Sequence, residues 1–183
     1  SATAPGAPAV WDQAPDNICA ESRHGDASAA AEAFERAAYR VALDLTNQRL
    51  AAAPIEPRSV AASYDADSGR LTIQLSSQMP TGVRNTLADN VLKIDRERIR
   101  VLVEDVGGGF GMKTGLYPED GVVAFAALQL KMPVKWIADR SEEMLSATAG
   151  RDLHSHAELA LDGDGRILAL RVRSQANVGA YAT

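Results

Sequence analysis

The sequence predicts an α+β fold, in which mixed or antiparallel sheets with hairpins pack against helices. Two stretches of alternating polarity fold back around turn residues, at Asp65-Ala66-Asp67-Ser68-Gly69 and at Asp162-Gly163-Asp164-Gly165. Helical periods lie between them without the regular strand and helix alternation of a doubly wound sheet. The expected layout is residues 1–25 as a linker or arm and residues 26–183 as the folded domain.

Taken in order, Ser1 to about Gly25 is rich in Ala, Pro and small polar residues and shows no hydrophobic period. Asp26 is a good N-cap for a helix through Ala29 to Ala38. Tyr39 to Asn47 then alternates, placing Val41, Leu43 and Leu45 on one face of a half-buried strand. Val60 to Tyr64 and Leu71 to Leu75 form the first hairpin. Across Thr81 to Leu92, the residues Val83, Leu87 and Val91 recur at spacings of four, as on one face of a helix. Ile99, Val101 and Val103 make a strand that delivers the chain to a glycine loop. Pro118 suits a first helical turn, and Glu119 and Asp120 complement the positive helix N-terminus. The helix they open runs to about Lys131, and its apolar residues cover most of its circumference, so deep burial is expected. Pro133 to Ile137 is a strand, and His154 to Leu161 pairs with Ile167 to Gln175 as the second hairpin. Val172 to Thr183 is strand-like and then loop-like without a closing element, which suggests a piece of a longer polypeptide.

Composition narrows the function. A formal charge of −5 over 183 residues, with no basic stripe, argues against a nucleic-acid binder. No apolar run approaches the roughly 18 residues of a membrane span, and no signal segment opens the chain. Cys19 is the only cysteine, so there is no internal disulfide and no paired-thiolate metal site, and a reducing, cytoplasmic compartment is expected.

The densest signal is Val103-Glu104-Asp105-Val106-Gly107-Gly108-Gly109-Phe110-Gly111-Met112-Lys113, with four glycines in five positions after a strand. Each glycine gives up roughly 0.5 to 1 kcal/mol on ordering and in return allows positive φ and bare N–H donors. A ligand held against the main chain explains such a run better than a structural turn, which needs one or two glycines. Gly107, Lys113 and Thr114 occupy three places of a phosphate-binding P-loop, but Met112 stands where its second glycine belongs and Pro118 starts the helix too late. The dinucleotide fingerprint fails at Met112 as well. A nucleotide site using the Gly107 to Lys113 loop stays as an alternative.

The glycine loop, the upstream Ser76-Ser77-Gln78-Met79-Pro80, and the downstream Pro133-Val134-Lys135-Trp136 and Asp139-Arg140-Ser141-Glu142-Glu143 together resemble the molybdenum hydroxylases. This family includes xanthine dehydrogenase, aldehyde oxidase and aerobic carbon monoxide dehydrogenase. Pro54-Ile55-Glu56-Pro57-Arg58 and Asn177-Val178-Gly179-Ala180-Tyr181 resemble the carbon monoxide dehydrogenase-like large subunits in particular. The likeness covers most of the chain in the right order.

The resemblance implies the first part of a molybdopterin-binding domain, of the aldehyde oxidase and xanthine dehydrogenase type, within a longer large subunit. It places Gln78 beside the molybdenum, its side-chain amide facing an oxygen ligand of the metal. It brings the backbone of Gly108, Gly109, Phe110 and Gly111 up to the anionic cofactor, where fixed amide dipoles stabilise negative charge. No residue of the chain is a direct metal ligand in this reading. The implied activity is oxidation of an aldehyde, N-heterocycle or related small substrate, or of CO, with oxygen from water. The implied cofactor of the intact enzyme is molybdopterin, in its cytosine dinucleotide form, and it is expected to be absent from the isolated chain. Iron–sulfur clusters and FAD sit on partner chains or domains, since one cysteine cannot ligate a cluster. The implied partners are the rest of the large subunit, an iron–sulfur subunit, a flavin subunit and the small-molecule substrate. The glutamate general base of the family has no counterpart here, so the isolated chain is expected to be inactive. Some members carry an acid after the loop lysine; Thr114 in that place weakens a purine-type reading. A non-catalytic scaffold or assembly module that keeps the fold is the second class of function.

Other candidates have plainer readings. Glu56, flanked by Pro54 and Pro57, suits a surface turn carboxylate better than a buried substrate-side acid. His154, His156 and Glu158 share a strand face and could hold a metal, but alternating polar residues more often mark a solvated face. The Asp162 to Gly165 run lacks the later ligands of a calcium loop and reads as a hairpin turn. Lys135 and Arg140 near Glu142 and Glu143 read as ordinary surface charge.

Overall fold

A computed structural model of the chain describes residues 2–180, so Tyr181, the end of the terminal segment quoted above, lies outside the described residues. In chain order the elements begin with α1 (Ala27–Glu35), β1 (Tyr39–Asn47), β2 (Leu50–Ala51), β3 (Ser59–Asp65), β4 (Arg70–Leu75) and α2 (Pro80–Thr86). There follow β5 (Ile99–Leu102), α3 (Pro118–Leu130), β6 (Val134–Ile137), α4 (Arg140–Ser146), β7 (Ala149–Gly150), β8 (Leu153–Leu161) and β9 (Ile167–Ala176). Contacts divide these into two units, Leu50–Gly150 and Ser1–Arg49 with Arg151–Thr183. Both are mixtures of helix and sheet, and the α+β expectation holds.

In the unit Leu50–Gly150, β3 and β4 form the expected hairpin, from Val60 opposite Leu75 to Asp65 opposite Arg70. β5 joins β4 in parallel, β6 joins β3 antiparallel, and the order is β5-β4-β3-β6. A parallel pair needs a crossover, and α2 provides it. The period of four predicts one helix here, but the turn widens over Leu87–Leu92, where the N–H of Lys93 and of Ile94 both reach the carbonyl of Ala88. Val83 and Leu87 are buried as expected, whereas the widening carries Val91 out to 47% exposure. The core lies where Leu71 and Ile73 of the sheet meet Leu87, Ala124 and Ala127. Each fully buried Leu or Ile contributes roughly 1.5 to 3 kcal/mol.

Helix α3 starts at Pro118 as expected and is capped by Asp120, which accepts the N–H of Tyr117 at 2.9 Å. It is not buried all round. Val123, Ala124 and Ala127 pack in the core with the sheet and Gly121 lies against Val91, while Val122, Phe125 and Leu130 are more than half exposed. The small residues set the inner face because they let the helix lie close to β3, and the large ones point outward.

In the other unit, α1 is capped by Asp26 and ends at Glu35, three residues before the expected Ala38, as the chain turns into β1. β1, β8 and β9 form one antiparallel sheet, in which the hairpin of β8 and β9 turns at Asp162 as predicted. Phe34 of α1 lies under the Arg171 guanidinium at 4.4 Å, and so packs against part of the polar face of this sheet. The opposite face carries Tyr39, Val41, Leu43 and Leu45 with Leu170 and Val172, all exposed. β1 was expected to be half-buried; among the described residues nothing covers its apolar face. Residues 2–25 hold turns and one isolated bridge between Trp11 and Ala14.

Candidate functional site

The end of β5 releases the chain into the glycine loop, and each glycine there has a separate reason. A Cβ on Gly107 would lie 2.4 Å from Cβ of Glu56, and one on Gly109 would lie 2.4 Å from Oε1 of Gln78. Gly108 and Gly111 adopt φ of +101° and +88°, where glycine is favoured. Phe110 also takes a positive φ of 52° with its side chain 75% exposed. A bulky residue held there is strained by about 1 to 3 kcal/mol, a feature that clusters at ligand-binding positions.

Both ends of the loop are pinned. At one end the carboxylate of Glu56 accepts the N–H of Gly107 at 2.8 Å, and the N–H of Glu56 donates to the carbonyl of Gly107 at 3.1 Å. At the other end Oε1 of Gln78 accepts the N–H of Gly111 at 3.0 Å and of Lys113 at 3.3 Å. The N–H of Gln78 donates to the carbonyl of Lys113 at 2.8 Å, and Thr114 Oγ1 donates to the carbonyl of Gly111 at 2.9 Å. Between the pins, no acceptor among the described residues meets the N–H of Gly108, Gly109 or Phe110. Because Oε1 of Gln78 faces two N–H donors, its Nε2 is the outward group, a free donor beside them. The set is suited to an anionic or oxygen-rich ligand, since three main-chain N–H groups and the Gln78 amide lie free beside one another.

Lys113 points the other way. Its ammonium, 1% exposed, donates to the Glu56 carbonyl at 2.9 Å, the Glu56 carboxylate at 3.0 Å and Ser76 Oγ at 2.9 Å. An ammonium facing inward under the loop is the reverse of what a phosphate cradle presents. Glu56 is corrected from a plain surface carboxylate: its side chain is 34% exposed and tied to three donors. Burial opposes its ionisation, but the hydrogen bonds from Ser76, Lys113 and Gly107 outweigh it and lower its pKa.

The segment Pro54 to Arg58 that carries Glu56 is itself anchored. Arg140 Nη2 donates to the carbonyls of Pro54 at 2.7 Å and Ile55 at 2.9 Å. Arg58 bonds Glu143 through Nε at 3.0 Å and Glu119 through Nη1 at 3.2 Å, and its guanidinium lies 3.8 Å from the Tyr117 ring. Arg140 and Glu143 were expected to be surface charge; the fold uses them as pins. Nothing in their local spacing announces partners more than eighty positions away.

The remaining candidates fall elsewhere. His156 meets Asp44 at 2.7 Å, Glu158 meets Arg171 at 2.7 Å and His154 meets Thr46 at 3.3 Å, each across the sheet. No metal-holding cluster of His, Cys, Asp or Glu occurs among the described residues, and Cys19 is exposed. No helix among them is long and apolar enough to cross a membrane. An open cavity of about 400 Å³ between α2 and β5 is lined by Arg70, Arg84, Arg96 and Arg100 with Glu97, and includes neither Gln78 nor the loop.

A family model of molybdopterin cofactor-binding domains matches residues 10–183. The chain is 37% identical over 157 residues to the carbon monoxide dehydrogenase large chain of Hydrogenophaga pseudoflava, covering 86% of this chain and 19% of that one. It is 35% identical to the nicotine 6-hydroxylase large subunit of Paenarthrobacter nicotinovorans, over 96% of this chain and 21% of the relative. Among solved structures, a Cu,Mo-CO dehydrogenase superposes with a TM-score of 0.83 at 30% identity over 94% of this chain and 23% of its own. Quinoline 2-oxidoreductase from Pseudomonas putida 86 gives 0.74 at 40% identity over 79% of this chain and 18% of its own. The chain thus spans about a fifth of the length of these relatives.

Proposed function

The chain belongs to the molybdopterin cofactor-binding domain family of the molybdenum hydroxylases, and from that premise we propose that its glycine loop and Gln78 form one wall of a molybdenum-cofactor site. The observation that carries the reading is the row of unpaired N–H groups at Gly108, Gly109 and Phe110, held between two pinned ends and flanked by Gln78 Nε2. The donor set fits the group: a cofactor with oxygen and sulfur ligands on the metal and a phosphate tail would present acceptors and negative charge, and this loop presents a row of three free main-chain N–H groups beside the Gln78 amide. When bound, the cofactor supplies two-electron oxidation of a substrate carbon with oxygen drawn from water.

The residues of this chain bind and orient. Gln78 Nε2 would hold an acceptor oxygen of the cofactor, the N–H groups of Gly108, Gly109 and Phe110 would line its approach, and the Gly111 backbone, tied to Gln78 Oε1, would close the wall. Because the amides are fixed before anything binds, they stabilise charge without reorganising. The exposed ring of Phe110 stands beside them at the loop tip.

The whole protein, in this reading, is an oxidoreductase large subunit acting on an aldehyde, an N-heterocycle, a related small molecule or CO. It carries the cytosine dinucleotide form of the cofactor and works in the cytoplasm with iron–sulfur and flavin subunits. The exposed apolar face of β1 and β9 supports a covering partner, and we assign that role to the rest of the large subunit. The isolated chain is inactive because the general base and the facing wall lie on other segments.

Co-expression with the rest of the large subunit and its partner subunits tests this. Molybdenum by mass spectrometry and pterin by fluorescence copurify with the unsubstituted complex and fall on Gln78→Ala or Gly111→Val. Equal content in all three overturns the assignment.

A further inference from the structure

The residue common to both pins of the glycine loop is Lys113. Its three ammonium protons meet three acceptors, the Glu56 carbonyl, the Glu56 carboxylate and Ser76 Oγ, at 2.9, 3.0 and 2.9 Å. A buried ammonium has three donors and no acceptor, so this site satisfies it completely. Ser76 Oγ donates in turn to the same Glu56 oxygen at 2.6 Å, closing a triangle. That oxygen also accepts the Gly107 N–H, so the ammonium fixes the atom that fixes the start of the loop. The main chain of Lys113 meanwhile takes the N–H of Gln78 and gives its own N–H to Gln78 Oε1, which fixes the other end.

We infer that Lys113 is the positioning residue of this site: its ammonium, through Glu56, and its main chain, through Gln78, clamp both ends of the glycine loop and preset its free N–H groups. The inference deepens the cofactor reading, because a preset row of donors is what a cofactor wall requires. A lysine suits the place better than arginine, since a compact charge meets acceptors on a short triangle whereas a planar fork does not. Methionine is near in length and apolar, and leaves Glu56 with Ser76 and Gly107 alone.

The test reads the loop in the cofactor-free chain. Amide hydrogen exchange at Gly107 and Gly111 and the NMR titration of the Glu56 carboxyl are followed in the unsubstituted chain, Lys113→Met, Glu56→Gln and the double variant. Leu87→Ala serves as a control that loosens the core away from the loop. In Lys113→Met we expect the Gly107 amide to exchange on the order of tenfold faster or more and the Glu56 titration to move upward. Glu56→Gln also speeds Gly107, and the double variant falls short of the product of the two single effects, because removing both charges leaves neither unpaired. An unchanged Glu56 titration in Lys113→Met, or Gly107 exchange no faster than in Leu87→Ala, overturns the inference. The cofactor reading fails separately, through equal molybdenum content in its own variants, and each result stands without the other.

Discussion

Two ion pairs leave the segment Pro54 to Arg58 only two residues apart, and they differ in how far they are sealed. Arg58 and Glu143 are 5% and 1% exposed, whereas Lys113 is 1% exposed and its partner Glu56 is 34%. Arg58 is further enclosed by Glu119, Ser146 and the rings of Tyr117 and Trp136. The sealed pair anchors the segment to buried partners and does not touch the loop. A pair with one open end holds a neighbour as well, and here the neighbour is the glycine loop. The difference separates a charge that fixes architecture from a charge that shapes a site.

That contrast can be broken most directly at its sealed side. Arg58→Ala leaves Glu143 buried without its partner, and we expect a loss of about 3 to 5 kcal/mol in urea unfolding. Lys113→Met leaves a carboxylate that can turn toward water, so the loss is smaller, about 2 kcal/mol. Equal losses in the two variants would erase the distinction.

Gly107→Ala and Gly109→Ala sharpen it within the loop. At Gly107 the added Cβ meets the Cβ of Glu56, close to a backbone pinned by Arg140, and cannot be relieved by a rotamer. At Gly109 it meets the far end of Gln78, which can swing away. We therefore expect about 1 to 3 kcal/mol at Gly107 and less at Gly109 by the same measurement. Gly109→Ala should nevertheless lower molybdenum content in the assembled enzyme, because it moves Gln78.

The smallest effect is titration. Burial raises the pKa of Glu56, but the bonds from Ser76, Lys113 and Gly107 together lower it more, and the net is below its ordinary 4.5. A carboxylate more acidic when folded stabilises the fold fully above the unfolded value, and that contribution fades as pH falls through the folded one. The protection factor of the Gly107 amide, taken relative to the intrinsic pH dependence of exchange, should thus hold steady above the ordinary carboxylate range and fall as pH drops below it. Asp120 runs oppositely: burial raises its pKa, so its contribution is full below its ordinary 3.8 and declines as pH rises. Asp120→Asn should remove that decline in a pH series of thermal midpoints while keeping an acceptor for the Tyr117 N–H.

Much of the fold was legible because it rests on local period and on turn chemistry. The two hairpins, the Asp26 cap and the Pro118 start come directly from residue order. Errors arose where neighbours overrode the period. Val91 fits a helical spacing, but the widened turn moves it outward, and the large apolar residues of α3 yield the inner face to Gly121, Ala124 and Ala127. Elements too short to show a period, β2, β7 and α4, left no signal of their own. At the site, the glycine loop stood out from the residues themselves and Gln78 through the family likeness, while the contacts made by the side chains of Ser76, Arg58, Glu143 and Lys113 had no local signal.

The sequence by itself determined that a bare backbone lies after a strand, and that its surroundings match the molybdenum hydroxylases. Only the tertiary structure decided why the backbone is bare. Two glycines make room for Glu56 and Gln78, two turn the chain at positive φ, and the donors left free are those between. Periodicity reports the faces of single elements, because it reflects neighbours three or four positions apart. The partner of Lys113 lies 57 positions away, and a contact at that distance is set by how strands and helices pack, which no local pattern encodes.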